Sequence, residues 1–236
     1  MALPQLNDSP KYELVIPSTK QKVRFRPFLV KEEKVMMMAM ETENQNDILN
    51  TIVDTIQACI ADDVDVNKFT TFDVEYCFLQ IRAKSVGEHV RLNLPCDQCE
   101  TPNEVVVKLD DIIIDVPNVN NVIQVTDDIS VEMRWPSYTQ VISDDIFAEK
   151  SQVDQLFGLI RSSITTILTK EERFSTTEHS KEELDAFIES MNNTQFAKIQ
   201  EYVEQMPRLT HDVKYKCTNC SHDNTLTLEG MQSFFS

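Results

Sequence analysis

Glycine is nearly missing from this chain, with three in 236 residues. Loops that cradle phosphates need several glycines close together, and neither G-x-G-x-x-G nor G-x-x-x-x-G-K-S/T occurs. The common nucleotide-binding enzyme folds are therefore set aside. Positive charge is also scarce: 22 Lys and Arg stand against 39 Asp and Glu, a formal net charge of −17. Such a surface repels nucleic-acid phosphates and anionic lipid, and it suits open solvent or a basic protein partner. No apolar run approaches the roughly 20 residues of a membrane span, and residues 1–10 lack the apolar centre of a secretory signal. H-E-x-x-H, G-x-S-x-G and D-x-D-x-D-G are absent as well. The pairs Asp110-Asp111, Asp127-Asp128 and Asp144-Asp145 read as turn and surface residues. The expectation is a cytosolic protein with no enzymatic activity, no small-molecule substrate and no stable membrane insertion.

What is present is cysteine at a telling spacing. Cys96-Asp97-Gln98-Cys99 and Cys217-Thr218-Asn219-Cys220 are both C-x-x-C, and each lies between short alternating runs, Val90–Leu94 and Val105–Leu109 for the first, Val213–Tyr215 and Thr225–Leu228 for the second. Two cysteines at a hairpin tip make a knuckle, and two facing knuckles make a four-thiolate site. Zinc suits such a closed tetrahedral site best. A redox C-x-x-C normally opens a helix, which is not the context here, while an iron–sulfur cluster accepts the same four ligands and stays open. The gap between the motifs exceeds that of a compact ribbon, so the pattern is that of a zinc ribbon split by an insertion. Cys96, Cys99, Cys217 and Cys220 are the predicted metal ligands. His211 and His222 flank the second motif without being needed as ligands, and Cys59 lies in an apolar helical register.

Taken in order, residues 11–28 read as a β-hairpin, 29–87 as helices, 88–135 as a β region with the first knuckle, 136–207 as inserted helices, and 208–236 as the second knuckle and a tail. With 41% apolar residues the whole of 1–236 is expected to form one compact α+β domain. Its helical region packs on an antiparallel β region containing a split, zinc-ribbon-like four-cysteine site. The spacing of Ile48, Ile52, Ile56 and Ile60 predicts an amphipathic helix. The stretch 153–168 reads as another helix and 171–179 as a polar loop. Ser180 and Glu183 have the spacing of a capping box.

Two features point to partners. Lys22, Arg24 and Arg26 alternate along a strand as a basic strip in an acidic protein. Met36, Met37, Met38 and Met40 crowd one helix segment, and methionine serves both core packing and adaptable binding surfaces. Arg82 and Lys84 close the helix 72–86 just before Gly87, where they also complement its dipole.

The run Arg26-Pro27-Phe28-Leu29-Val30-Lys31-Glu32-Glu33-Lys34, the methionines after it, and Phe72-Asp73-x-Glu75-Tyr76-x-Phe78-Leu79-x-x-Arg82-Ala83-Lys84-Ser85-Val86-Gly87-Glu88 resemble the baseplate hub and hub-assembly proteins of T-even-type contractile-tailed bacteriophages. The resemblance runs to about residue 110 and is looser beyond. It implies a virion or assembly protein acting by protein–protein contact with other baseplate hub or tail-assembly proteins, in the host cytoplasm during assembly and in the tail baseplate. It brings no catalytic residues. The competing class is a zinc-ribbon regulatory adaptor for nucleic acid or a polymerase, disfavoured by the few cations near the knuckles (Arg91, Lys108, Lys214, Lys216).

Overall fold

A computed structural model of the protein describes residues 9–42, 44–144, 146 and 151–234. Strands β1 (Tyr12–Val15) and β2 (Lys22–Phe25) pair antiparallel, with Tyr12 opposite Phe25. The alternation of β2 turns Val23 and Phe25 inward and leaves Lys22 and Arg24 exposed. The turn between the strands is anchored from below: Ser18 donates from its backbone N–H (2.9 Å) and its hydroxyl (2.6 Å) to the fully buried Asp73 carboxylate. Asp73 lies in the first turn of α3 (Thr71–Ser85).

Helix α1 (Val30–Glu41) buries only Glu32 and Ala39. Helix α2 (Gln45–Cys59) buries Ile52, Val53 and Ile56 on its predicted stripe. Its exit continues the N-terminal hairpin, because the Arg26 N–H donates to the Cys59 carbonyl and the Ala61 N–H to the Arg24 carbonyl. Two further hairpins follow in space: β3 (His89–Pro95) with β4 (Pro102–Lys108), and β9 (Thr210–Lys216) with β10 (Asp223–Glu229). Their inward residues Leu92, Leu94, Val107, Val213 and Leu228 share a core with Leu79 and Ala83 of α3 and with Phe234. These elements form one compact unit drawn from Met1–Val66, Phe72–Asp115 and Arg208–Ser236.

A second compact unit comprises Asn67–Thr71 and Val116–Pro207, so the range expected as one domain divides into two. Its antiparallel sheet has the order β5 (Val122–Gln124), β6 (Ile129–Met133), β7 (Ile164–Thr169), β8 (Arg173–Ser175). Helices α4 (Tyr138–Ser143), α5 (Gln152–Ser163), α6 (Lys181–Glu189) and α7 (Asn193–Glu204) complete it. Its core gathers Val131, Met133, Ile160, Ile164, Ile188, Ile199 and Tyr202.

The expected helix over 153–168 is corrected here: α5 ends at Ser163, and the expected loop contains β8. The β-branched run Ile164-Thr165-Thr166-Ile167 loses rotamer freedom in a helix and fits a pleated surface. It pairs with β6 on one side and β8 on the other. Residues 136–207 are therefore helices plus half a sheet. The Ser180–Glu183 capping box forms in both directions, at 3.2 and 2.9 Å.

A partly buried carboxylate ties α3 to the C-terminal hairpin. Glu75 accepts the backbone N–H groups of Met231 and Leu209. Gly230, at φ +71°, brings the chain within 3.8 Å of Glu75 Oε1, measured from where a Cβ would stand. Burial pushes the Glu75 pKa up to about 7, outweighing the two donors, and Glu229 adds to the rise. The folded state therefore holds this proton more tightly than the unfolded chain, whose glutamates titrate near 4.5. The stability gained is complete below that lower value and is lost as pH rises through about 7. Urea denaturation from pH 5 to 8 is expected to show Glu75→Gln losing less stability than the wild type with rising pH, by up to ~3 kcal/mol. Parallel pH profiles would refute the assignment.

Candidate metal centre

The two knuckles are built alike, position for position. The Cys96 N–H donates to the Thr101 carbonyl (3.0 Å), and the Glu100 N–H to the Cys96 carbonyl (2.8 Å). In the second hairpin the Cys217 N–H donates to the His222 carbonyl (2.8 Å), and the Ser221 N–H to the Cys217 carbonyl (3.1 Å). Glu100 and Ser221 each follow the second cysteine with φ of 58° and 60°. This left-handed step returns the chain into β4 and β10.

The hairpins face each other with their cysteines exchanged. Cys96 Sγ lies 3.6 Å from Cys220 Sγ, and Cys99 Sγ lies 3.6 Å from Cys217 Sγ. All four sulfurs fall within 4.8 Å of one another. Disulfide sulfurs would stand at about 2.0 Å, and these cysteines are free thiols. A tetrahedral zinc with ~2.3 Å bonds to sulfur would space its ligands at ~3.8 Å, so the donor set fits a four-thiolate ion. Cys96 and Cys217 are buried, Cys99 is partly buried and Cys220 is exposed.

The surroundings favour negative sulfur. The Thr101 hydroxyl and then its backbone N–H bring the Cys99 pKa down to about 6. The Cys220 N–H, followed by that of Asn219, lowers Cys217. For Cys220 the His222 N–H pulls downward, but burial and the three neighbouring sulfurs prevail and push it up to about 12. Four sulfurs this close cannot all carry charge unless a cation stands among them. A divalent ion would supply that cation.

A pair of asparagines locks the hairpins across the centre. Asn103 Oδ1 accepts from the Thr218 N–H (2.8 Å) and the Thr218 hydroxyl (3.0 Å), while its Nδ2 donates to the Thr101 carbonyl (2.7 Å). Asn224 Oδ1 accepts from the Asp97 N–H (3.0 Å), while its Nδ2 donates to the His222 carbonyl (3.1 Å). Each side chain, 3% exposed, secures its own turn and caps the opposite knuckle just after that knuckle's first cysteine. These residues escape a search for ligands. Their signal is positional: each asparagine occupies the same place behind its knuckle.

The partner-surface residues are scattered in their roles. Arg24 forms a bidentate pair with Asp62, Nη2 to Oδ1 at 2.6 Å. Arg26 pairs with the buried Glu32 (2.9 Å) and donates to the Ala58 carbonyl (3.0 Å). Lys84 bridges Glu88 (2.6 Å) and Asp110 (2.9 Å), and Arg82 is half-buried. Lys22 is exposed. The strip expected at Lys22, Arg24 and Arg26 is thus largely committed to pairs within the chain. Met36 is half-buried, whereas Met37, Met38 and Met40 are about 60% exposed, at 61%, 57% and 60%. Core packing is therefore not their role in this chain. His211 and His222 stand outside the sulfur cluster, and Cys59 is buried.

The class is now defined: an α+β protein whose two matching knuckle hairpins converge on four thiols able to hold a metal ion. The family model for the T4 bacteriophage base plate protein matches residues 9–236, and the chain belongs to that family. No curated protein and no solved structure gives a significant match.

Replacing either asparagine removes the acceptor of a part-buried N–H in the opposite turn, Thr218 for Asn103 and Asp97 for Asn224. Asn103→Ala and Asn224→Ala are each expected to lower stability by roughly 1–3 kcal/mol, by chemical denaturation of the metal-loaded protein. A loss seen for only one of the two would contradict their equivalence.

Proposed function

We propose that this baseplate protein serves the hub, as a subunit or an assembly factor, and that a structural zinc ion held by Cys96, Cys99, Cys217 and Cys220 closes its ribbon. The family match over nearly the whole chain carries the baseplate role, which entails contact with other phage tail proteins in the tail baseplate. The hub assignment rests on the resemblance of residues 26–87, and the chain would meet its partners in the host cytoplasm during assembly. The convergence of four thiols carries the metal reading. Zinc is favoured because four thiolates saturate it and leave no open position for chemistry. Such ions contribute roughly 10–16 kcal/mol of apparent binding energy in small peptides, enough to decide whether a two-stranded ribbon forms. The adaptor reading gains no support, since Arg91 pairs with Glu104 and Lys108 with Asp111.

Elemental analysis of protein prepared without chelator is expected to give about one zinc per chain, with no visible absorbance from iron–sulfur. Cys96→Ser is expected to lose the metal and to unfold at lower denaturant. Zinc well below one equivalent together with a normally folded Cys96→Ser would defeat the structural-zinc reading. For the hub role, pairwise co-expression with each hub protein of the same phage is expected to yield at least one stable complex at physiological salt. Failure with every hub protein would defeat it.

A further inference from the structure

We infer that α1 and the cationic pocket at its start form a docking site for an acidic, amphipathic segment of a partner protein, an inference that rests on the proposed role in protein assembly. The pocket, about 300 Å³, has apolar walls from Leu29, Ala58 and Ile60, and it is lined by Lys11, Arg26 and Lys31. Glu32 neutralises Arg26. It also touches Lys31 at 3.4 Å, but the Lys31 side chain remains 71% exposed and Lys11 is exposed too. The pocket is thus a positive spot on a chain of net charge −17.

Helix α1 extends that spot along its length. Lys31, Lys34, Val35 and Met38 follow i, i+3, i+4, i+7 and so share one face. Val35 and Met38 are 52% and 57% exposed, and Lys34 is exposed. Val30 and Met37 add apolar surface on the adjoining face, at 81% and 61%. A soluble chain rarely leaves so much aliphatic surface on one helix without a use for it. Methionine beside lysine is an adaptable apolar surface with cationic edges. Its complement is a segment carrying an apolar stripe edged with carboxylates, one of them reaching the pocket of Lys11 and Lys31. A second copy of this chain is the poorer occupant, because it would bring Lys31 and Lys34 of both copies into one contact with no stripe of carboxylates to meet them.

The test uses the full-length protein and whichever purified baseplate protein forms a complex with the wild type. Lys31→Glu/Lys34→Glu and Met38→Asp change only exposed positions, and unchanged melting temperature and metal content will show that they fold. Each variant is expected to weaken the complex about tenfold or more, while Lys214→Glu on the outer face of β9 leaves it intact. A photo-crosslinker placed at Met38 is expected to join a partner segment with a net negative charge and helical apolar spacing. Full affinity in both variants, or a crosslink to a basic segment or to a second copy of this chain, would overturn the inference while the complex itself still stood. Absence of any complex with the wild type would instead count against the assembly role and remove this inference with it.

Discussion

Neither knuckle hairpin is a fold by itself, since a lone two-stranded sheet is marginal in water and each of these has two strands. Between them, four sulfurs from distant parts of the chain converge on one spot. That crowding is unfavourable while the sulfurs carry charge alone, in line with the upward push that the three neighbouring sulfurs exert on Cys220. The asparagine exchange aligns the turns before any ion is counted, and the shared core beneath them supplies apolar burial. The cation would convert the remaining repulsion into attraction. Geometry, hydrogen bonding and charge thus act on the same junction, beside a core that includes Leu79 and Ala83 of α3, Leu209 and Phe234.

Charge is handled differently in the N-terminal part of the same unit. Arg24 and Arg26 look from the sequence like an offered strip, yet each is taken by a carboxylate within reach, Asp62 and Glu32. A chain with so many acids consumes most of its cations internally. On α1, Lys31 and Lys34 stay exposed beside exposed Val35 and Met38.

The knuckles are legible in the sequence because four cysteines at two fixed spacings have few other uses. The strands around them alternate cleanly enough to place, and the capping box at Ser180 announces α6. The start of β7 is not legible, because Ile160, Ile164, Ile167 and Leu168 keep a helical spacing straight through the change from helix to strand. Local β-branching and pairing on both sides decide the outcome, and the pairing depends on partners distant in sequence. The exposure of Met37 and Met38 is hidden for a similar reason. Composition shows that a residue is apolar, while only the absence of a covering element among the described residues shows that it faces water. Asn103 and Asn224 are invisible until the turns they cap are seen side by side.

The first unit is interrupted by the second, since it takes its last strands from Arg208–Ser236. A ribosome releases the chain in order, so Cys96 and Cys99 emerge well before Cys217 and Cys220 exist. By the end of that interval every residue of the second unit, Asn67–Thr71 and Val116–Pro207, is already present, whereas the first knuckle has only half of its ligands. A chain broken off anywhere before the second knuckle would keep two of the four thiols and would lack Val213, Leu228 and Phe234 from the core shared with α3.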